Sequence, residues 1–364
     1  MEIELQQITY HELKNNFQIV GDNYDLIKKS FNNNRKKALF SNPNLDNDDR
    51  IGANIVRADG VVVGYCYPFP TKFKAGNEIL NSSGATALEV YKEYQKYAPG
   101  VELIMATLLD PLNKAIIYAD LSEDGLKFYK AARFTDFALP KMIQPNNSRF
   151  IFENFGFRGI ALKTACFITN MFLKPYIKLM RFLLKKNSQR YRIKHLTRIP
   201  SWVTDIVVGD GHKYMELHNN DWMQWCLDNC FSNYDIIPNY FYAIYDEKEQ
   251  PIGFFLIKER AYSIPSRNIS RTSFGTIMEW GTVDTNILCE YEITKIATSF
   301  FSAGIDAVQF ATSNISVIKK MKKFGFFHHG FHHIVYKNLT EKYKDSDNPD
   351  NWRLRFGYSD SIIN

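Results

Sequence analysis

The chain contains a succession of strand and helix patterns that occurs twice, and this repetition constrains its fold more than any other feature. The first copy ends near residue 150, and the second begins after Pro200. Strands and helices of mixed order in each copy indicate an α/β or α+β fold. The 364 residues also exceed the roughly 250–300 residues at which one hydrophobic core stops growing. We therefore expect two mixed-sheet domains in tandem.

Two short segments carry the similarity between the copies. Each has a polar residue, a helical position seven residues later and a phenylalanine five residues after that. The residues are Ser122, Tyr129 and Phe134 in the first copy and Asn314, Met321 and Phe326 in the second. An internal duplication explains the matched spacing. Chance similarity is the alternative, because a polar cap before a short helix is a common arrangement.

A basic segment separates the two copies. No acidic residue lies between Glu153 and Asp205, whereas eleven of the 45 Lys and Arg residues fall within residues 158–198. Apolar and basic side chains in this segment both recur at helical intervals, which predicts an amphipathic helix. The sequence therefore predicts a first domain over residues 1–150, a basic linker helix over 151–199 and a second domain over 200–364.

Composition excludes several classes of protein. Apolar residues make up 45% and charged residues 23% of the chain, which are globular proportions. Five cysteines are too few and too irregularly spaced for a disulfide scaffold, so we expect a reducing compartment. The acidic N-terminus does not read as a signal peptide, and no uncharged apolar run approaches the ~20 residues that span a bilayer. We expect a cytoplasmic protein.

The histidine-rich run near the C-terminus does not predict a metal site. His328, His329, His332 and His333 lie close together in the sequence, but alternation along a strand sends neighbouring imidazoles to opposite faces. No cysteine or carboxylate completes a zinc ligand set beside them. We therefore predict that the protein uses no metal.

A bend between a strand and a helix is the best candidate for a binding site. The strand pattern ends at Val90, and Gln95-Lys96-Tyr97-Ala98-Pro99-Gly100 follows at the start of a helix. Main-chain amides at a helix start can hold an anion, and the helix dipole adds attraction. The small residues Ala98 and Gly100 allow a ligand to approach the backbone closely. A pyrophosphate suits such a bend.

These features together resemble the GCN5-related N-acetyltransferase (GNAT) superfamily, in tandem. The family motif is Gln/Arg-x-x-Gly-x-Gly/Ala at this bend; here Ala98 replaces the first glycine and Pro99 lacks an amide. The resemblance implies acetyl-CoA or another acyl-CoA as co-substrate, with the Val90 N–H hydrogen-bonded to the thioester carbonyl. The residues that it assigns to acyl-CoA are Val90, Gln95, Lys96, Tyr97, Ala98, Gly100 and Val101. The second copy has no such bend, and Asp284 and Glu290 there would repel phosphate.

The resemblance also implies catalytic roles. Tyr129 matches the family tyrosine that protonates the leaving thiolate, although a packed core aromatic is the alternative. Met321 stands at the same spacing in the second copy and cannot supply a proton. Glu89, beside Val90, is the candidate base, and a solvent-facing strand carboxylate is the alternative. Glu279 is the analogous carboxylate of the second copy, and we expect it to bind an amine acceptor.

The sequence thus predicts an acyl-CoA-dependent N-acyltransferase with a catalytic first half and a degenerate second half. Its acceptor is an unidentified amine on a sugar, a peptide or a surface-polymer precursor. Two alternatives stay open. One is a Fem-like transferase that takes aminoacyl-tRNA, which the basic segment favours. The other is a non-catalytic binding or assembly protein that has retained the fold.

The basic segment itself has two interpretations. Cations opposite an apolar stripe suit an anionic membrane surface or a polyanion, which would make the protein peripheral at the membrane. In the other interpretation, which we favour, the helix lies between the two halves and buries Phe172, Tyr176 and Leu179. No recognised nucleic-acid-binding module accompanies residues 158–198, so we predict no specific nucleic acid partner.

Overall fold

A computed structural model describes residues 2–15, 31–119, 121–188, 190–231, 239–264, 269–302 and 304–363. These residues form a mixed sheet of thirteen strands, β1 to β13. Twelve of them follow the spatial order β1-β2-β3-β4-β5-β13-β6-β12-β11-β10-β9-β7, and β8 pairs with β3 beside this path. The prediction of a mixed α/β fold is confirmed.

The strands alternate with helices in both halves. The strands are β1 Ile3–Thr9, β2 Ile51–Ala58, β3 Val61–Ala75, β4 Glu78–Val90, β5 Ala115–Ala119, β6 Thr135–Pro145, β7 Arg192–Leu196, β8 Tyr214–Glu216, β9 Asn239–Tyr245, β10 Pro251–Ile264, β11 Ile269–Thr282, β12 Ala307–Ala311 and β13 Phe327–Asn338. The helices are α1 Tyr10–Lys14, α2 Asn33–Phe40, α3 Pro99–Leu108, α4 Glu123–Ala131, α5 Arg149–Asn154, α6 Gly159–Ser188, α7 Trp202–Val208, α8 Asn220–Asp228, α9 Glu290–Thr298 and α10 Ile315–Met321.

The order of elements repeats from one half to the other. The series β2, β3, β4, α3, β5, α4, β6 corresponds to β9, β10, β11, α9, β12, α10, β13. The matched helix caps are present in both series: the Ser122 side chain accepts the Gly125 amide, and the Asn314 side chain accepts the amides of Ser316 and Val317. This repeat supports the internal duplication that the spacing predicts.

Two parallel strands separate in each half. β4 and β5 pair only at Ser82–Ala115 and Ser83–Ile116, after which β4 continues to Val90 paired with β3 but not with β5. β11 and β12 pair only at residues 274–276 with 307–309. We call the opening beyond the β4–β5 pairing the first split and the opening beyond the β11–β12 pairing the second split.

The halves exchange their last strands. β13, from the second half, pairs with β5 of the first, and β6, from the first half, pairs with β12 of the second. β6 and β13 also pair with each other at the centre of the sheet. The backbone hydrogen bonds of each half are therefore completed by the other. The boundaries at residues 150 and 199 stay a prediction, and the sheet runs across them.

The C-terminal residues lie across both halves. Gly357 donates its amide to Met278 on β11 (2.9 Å), and the short turn Ser359–Ser361 contacts β4 and β5. Tyr358, Ile362 and Ile363 are buried in the main hydrophobic core. The chain end thus lies at the first split, a position that the sequence did not indicate.

Helix α6 occupies a different place from the one we favoured. Phe172, Tyr176 and Leu179 are 68%, 44% and 53% exposed, so the prediction that they are buried between the halves was wrong. The helix instead packs against α9 and α5 through another face, which carries the buried Ile177 and Leu184. The strand exchange already joins the halves, so no interdomain helix is needed to hold them together.

Candidate active site

The main chain of Val90 is open toward the first split. Tyr91 donates its amide to the Val63 carbonyl (2.9 Å), and Val90 pairs with Gly64 on β3. Because hydrogen bonding alternates along an antiparallel pair, the amide and carbonyl of Val90 point away from β3 and into the split. No strand pairs with Val90 on that side among the described residues. The side-chain amide of Gln95 donates to the Val90 carbonyl (3.1 Å), and the Val90 amide remains available.

The bend after Val90 has fewer available amides than the motif suggests. Residues 92–97 form a 3-10 turn, and Ala98 adopts a left-handed conformation (φ 56°) directly before α3. This tight geometry makes Ala98 donate to Gln95 and Val101 donate to Ala98, at 3.0 and 2.9 Å. The amide of Gly100 has no acceptor among the described residues. One main-chain donor at the helix start can therefore meet an anion.

A cation and open space lie beside this bend. The Lys96 ammonium is 4.8 Å from the centre of the Tyr97 ring, and Tyr97 is 48% exposed. A Cβ atom placed on Gly100 would come no closer than 3.6 Å to another atom, the Val90 Cγ2. The surface over Gly100 is thus unobstructed, which a diphosphate requires.

Tyr129 lies in an aromatic cluster below the split. It is 3% exposed, and its ring centre is 5.2 Å from that of Tyr118 and 5.1 Å from that of Phe134. Burial raises the pKa of the Tyr129 hydroxyl well above 10, and Tyr118 adds to the shift. The hydroxyl therefore keeps its proton at neutral pH. Met321 takes the corresponding place in the second half and is fully buried.

Glu89 lies on the opposite face of β4 from Val90. Its carboxylate accepts a hydrogen bond from the Tyr65 hydroxyl (2.5 Å). Tyr65 and Tyr67 are on this same face of β3, and the Arg35 guanidinium lies 5.6 Å from the Tyr67 ring centre. Glu89 is itself exposed. This face gathers a carboxylate, two phenols and a cation beside the open end of β4.

Asp360 was not predicted from the sequence, yet it lies at the first split. It is 8% exposed, on the C-terminal turn that contacts β4 and β5. Burial raises the pKa of the Cys66 thiol to about 12, and the negative charge of Asp360 contributes to this shift. The same charge acts on Arg35 and Tyr129. Asp360 thus lies within electrostatic range of both faces of the site.

Lys258 fixes the turn that carries Asp360. Its ammonium donates to the Ile362 carbonyl (3.2 Å), and the side chain is 3% exposed. Burial lowers the pKa of Lys258 to about 8, with Arg260 adding to the effect and Asp360 opposing it. Lys258 belongs to β10 of the second half, so the second half positions the chain end at the first split.

The second split is closed by side chains at the corresponding position. Glu279 and Trp280 follow a bulge in β11 as Glu89 and Val90 follow one in β4. The Trp280 amide donates to the Glu279 carboxylate (2.9 Å), and Arg353 donates to the Trp280 carbonyl. The backbone that is open at Val90 is therefore already satisfied at Trp280.

Glu279 itself belongs to a buried ionic network. It is 2% exposed and accepts hydrogen bonds from His218 (2.8 Å) and Arg353 (2.9 Å). Burial would raise the pKa of Glu279, but Arg353 and then His218 hold it at about 2. Likewise, burial would lower the pKa of His218, but Glu216 and Glu279 raise it to about 9. The predicted acceptor-binding role for Glu279 stays a prediction, and its present partners leave its carboxylate no open face.

A cleft of about 770 Å³ remains at the second split. Its wall includes Gly281, Cys289, Glu290 and Asn314. Helix α9 begins there with Glu290 in its first turn, and this carboxylate accepts from Arg355 and from Asn314. Burial would raise the pKa of Glu290, but the Arg355 charge lowers it. A carboxylate therefore occupies the helix start where an anionic ligand would need to bind.

Neither a metal-binding cluster nor a membrane-spanning helix is found among the described residues. No group of three or more His, Cys, Asp or Glu side chains there is arranged to hold a metal ion. None of the described helices is both long enough and apolar enough to cross a bilayer.

The sequence matches no protein-family model and no curated protein. Solved structures are nevertheless similar to it. A GCN5-related N-acetyltransferase from Anabaena variabilis aligns with 93% of this chain and 73% of its own, at 10% identity and a TM-score of 0.53. The N-myristoyltransferase of Saccharomyces cerevisiae, solved with bound myristoyl-CoA, aligns with 92% of this chain and 79% of its own, at 12% identity and a TM-score of 0.53. The chain has the acyl-CoA N-acyltransferase fold.

The acyl-CoA N-acyltransferase fold confirms the resemblance that the Val90–Gly100 region indicated. The two alignments cover 93% and 92% of this chain, so they extend over both halves. Enzymes that transfer acyl groups therefore share its architecture. At 10–12% identity this similarity shows the fold and not the reaction.

Proposed function

We propose that this protein is an acyl-CoA-dependent N-acyltransferase that binds acyl-CoA in the first split. The open main chain of Val90 carries the proposal. β4 extends seven residues beyond its last pairing with β5, and the Val90 amide points into the gap. An unpaired strand amide is costly unless water or a ligand satisfies it, and a thioester carbonyl is a suitable acceptor.

The residues around Val90 can hold the rest of the co-substrate. The Gly100 amide and the Lys96 ammonium are placed to meet a diphosphate at the start of α3. The acyl-CoA chain would then run along the free edge of β4 to Val90. In the second half the matching edge is closed by Glu279 and Arg353. The proposal therefore assigns acyl-CoA to the first half alone.

The proposed reaction transfers the acyl group from the CoA sulfur to the nitrogen of the acceptor amine. The acceptor amine attacks the thioester carbon, the carbon–sulfur bond breaks, and the new amide keeps the acyl group. The Val90 amide stabilises the charge on the carbonyl oxygen. Tyr129 donates its phenolic proton to the departing CoA thiolate, and the proton that the nitrogen loses as the amide forms restores the phenol.

A carboxylate must take the proton that the acceptor ammonium loses. Glu89 and Asp360 both lie at the open end of β4, and Asp360 is the more buried of the two. Glu89→Gln and Asp360→Asn separate their roles through pH profiles. Loss of the base slows turnover at neutral pH and is relieved as rising pH deprotonates the amine itself. A residue that only positions the acceptor gives a loss that does not depend on pH.

The test of the proposal removes the Val90 amide. Val90→Pro deletes this donor without breaking a β3–β4 hydrogen bond, and Val90→Ala is its matched control. We measure CoA thiol release with acetyl-, decanoyl- and myristoyl-CoA against a panel of peptide, aminosugar and polyamine acceptors. Val90→Pro should lower turnover by roughly 100-fold, as loss of one oxyanion donor does, while the acyl-CoA-induced rise in melting temperature persists. A folded Val90→Pro protein with normal turnover, or a wild-type protein that binds no acyl-CoA, would overturn the proposal.

A further inference from the structure

Helix α6 exposes a large apolar surface. Along its length and just before it, eight large apolar side chains are more than half exposed. They are Phe155 (74%), Ile160 (83%), Phe167 (74%), Ile168 (53%), Met171 (55%), Phe172 (68%), Leu179 (53%) and Phe182 (64%). Single exposed apolar residues are ordinary, but a contiguous patch of this kind marks an interaction surface. We call it the α6 apolar face.

Basic side chains border this face along one edge. Lys163, Lys174, Lys178 and Lys185 are exposed, and their spacings of 11, 4 and 7 residues place them on one line of the helix, at ~3.6 residues per turn. Viewed down the axis of α6, the buried Ile177 and Leu184 lie roughly opposite the centre of the apolar face. The helix thus has three surfaces: one packed on the protein, one apolar and exposed, and one basic edge between them.

The segment that carries this surface contains no acidic residue: residues 154–204 include no Asp or Glu. The segment continues into β7, the last strand in the sheet order, where Lys194 is exposed and Arg192 forms an ion pair with Glu249. A partner for this surface must therefore bury several aromatic side chains and carry negative charge.

We propose that α6 lies on the surface of an anionic lipid bilayer, with its apolar face in the headgroup–acyl boundary and its lysines among the lipid phosphates. A surface helix with bulky aromatics on one side and lysines at the edge has this chemistry. Lysine stems reach past buried apolar groups to charged headgroups. The helix lies in the interface and does not cross the membrane, in agreement with the absence of a membrane-spanning helix among the described residues.

This inference is independent of the proposed transferase activity. The α6 apolar face is formed by residues that take no part in the first split. Membrane binding can therefore be tested separately from the binding of acyl-CoA. A bilayer location would bring the enzyme to acceptors that are themselves held in a membrane.

The experiment measures flotation of the full-length protein with vesicles. Phosphatidylcholine vesicles with and without 30 mol% phosphatidylglycerol are compared at low and high salt. The apolar variant is Phe167→Ser/Phe172→Ser/Phe182→Ser. Its matched control is Ile79→Ser/Leu109→Ser/Ile315→Ser, three residues of similar exposure outside α6 (52%, 66% and 64%). A charge variant, Lys174→Gln/Lys178→Gln, tests the basic edge.

The wild type and the control should float with anionic vesicles and much less with neutral ones. The apolar variant should lose at least about tenfold in partitioning, and the charge variant should lose most of the preference for anionic lipid. Melting curves and circular dichroism confirm that every variant is folded. Equal flotation of the apolar variant and the wild type would overturn the proposal.

Two other partners give distinct results that also contradict it. If α6 joins two copies of the chain, sedimentation shows a dimer that the apolar variant dissociates, with no flotation of the wild type. If it binds a polyanion, tRNA or heparin binds the wild type and the apolar variant equally, the charge variant loses this binding, and vesicles do not bind.

Discussion

Single residues determine that the main-chain amide after the strand bulge points into the split in the first half and is hydrogen-bonded in the second. Val90 and Trp280 occupy corresponding positions after a strand bulge. The Trp280 amide and carbonyl are held by Glu279 and Arg353, whereas the Val90 amide points away from β3 into the first split. A difference of a few side chains thus decides which half can offer its backbone to a thioester.

The proton donor can be tested by removing one oxygen atom. Tyr129→Phe should reduce acyl-CoA-dependent turnover by roughly 100-fold, the lower end of what a general acid contributes. The acyl-CoA dissociation constant should stay unchanged, because the ring and its packing against Tyr118 remain. Steady-state CoA release and calorimetric titration measure the two quantities.

Tyr118→Phe is the control for this substitution. Tyr118 is also buried and donates to Thr107 (2.8 Å), so its loss should lower the free energy of unfolding by about 1 kcal/mol with normal turnover. If Tyr129→Phe turns over like Tyr118→Phe, then Tyr129 is a packing residue.

The buried His218 predicts a dependence of stability on pH. Its pKa is raised from 6.5 to about 9 in the folded protein. Its contribution is therefore complete below about pH 6.5 and is lost as the pH rises through 9, with an upper limit of about 3 kcal/mol. Urea unfolding of the wild type and of His218→Gln between pH 6 and 9.5 measures the difference between their free energies of unfolding. The contributions of other titrating groups, such as Lys258, cancel in this difference.

The exposed His328 provides the control, since His328→Gln should leave the wild-type slope unaltered. Parallel stability curves for the wild type and His218→Gln would show that the network with Glu216 and Glu279 does not hold a protonated imidazole. Such a result would also weaken the link through Glu216 to the C-terminal turn, where Glu216 accepts the Ser359 amide (2.7 Å).

At the scale of elements, local signals were enough to predict the bend and the helix after it. Pro99 suits the first turn of α3, and Gly100 leaves the space above the helix start open. The hairpin between β2 and β3 was equally predictable, because Asp59 and Gly60 adopt the positive φ angles that a tight turn requires. The number of free main-chain amides at the bend could not be predicted, because it depends on the left-handed conformation of Ala98.

A negative charge at the start of α3 should compete with the diphosphate. Gly100→Asp is expected to fold normally, because the position is open and an acidic residue in the first turn stabilises a helix by about 0.3–1 kcal/mol. It should raise the acyl-CoA dissociation constant at least about tenfold through repulsion between like charges. Calorimetry or a thermal-shift titration gives this constant.

Ser316→Asp is the matched control, at the same helical position of α10 beside the second split. It should leave acyl-CoA binding unchanged. If Ser316→Asp weakens binding and Gly100→Asp does not, the co-substrate lies in the second half and the assignment is wrong.

At the scale of the whole molecule, the features that complete the site come from distant parts of the chain. β6 and β13 exchange halves, and Asp360 reaches the first split from the C-terminus. Lys258 of the second half fixes that turn through the Ile362 carbonyl. Patterns within a short window report on local structure, so neither the exchange nor Asp360 could be found in them. The exposure of α6 was missed for the same reason, because an amphipathic pattern shows that a helix has an apolar face but not what covers it.

The most direct test of the account is a crystal structure of the full chain with a non-hydrolysable acyl-CoA. We expect the acyl carbonyl oxygen to lie within hydrogen-bonding distance of the Val90 amide and the diphosphate to lie at the Gly100 amide. Density for the ligand in the cleft beside Gly281 and Cys289, or a Val90 amide bonded to the protein itself, would contradict it.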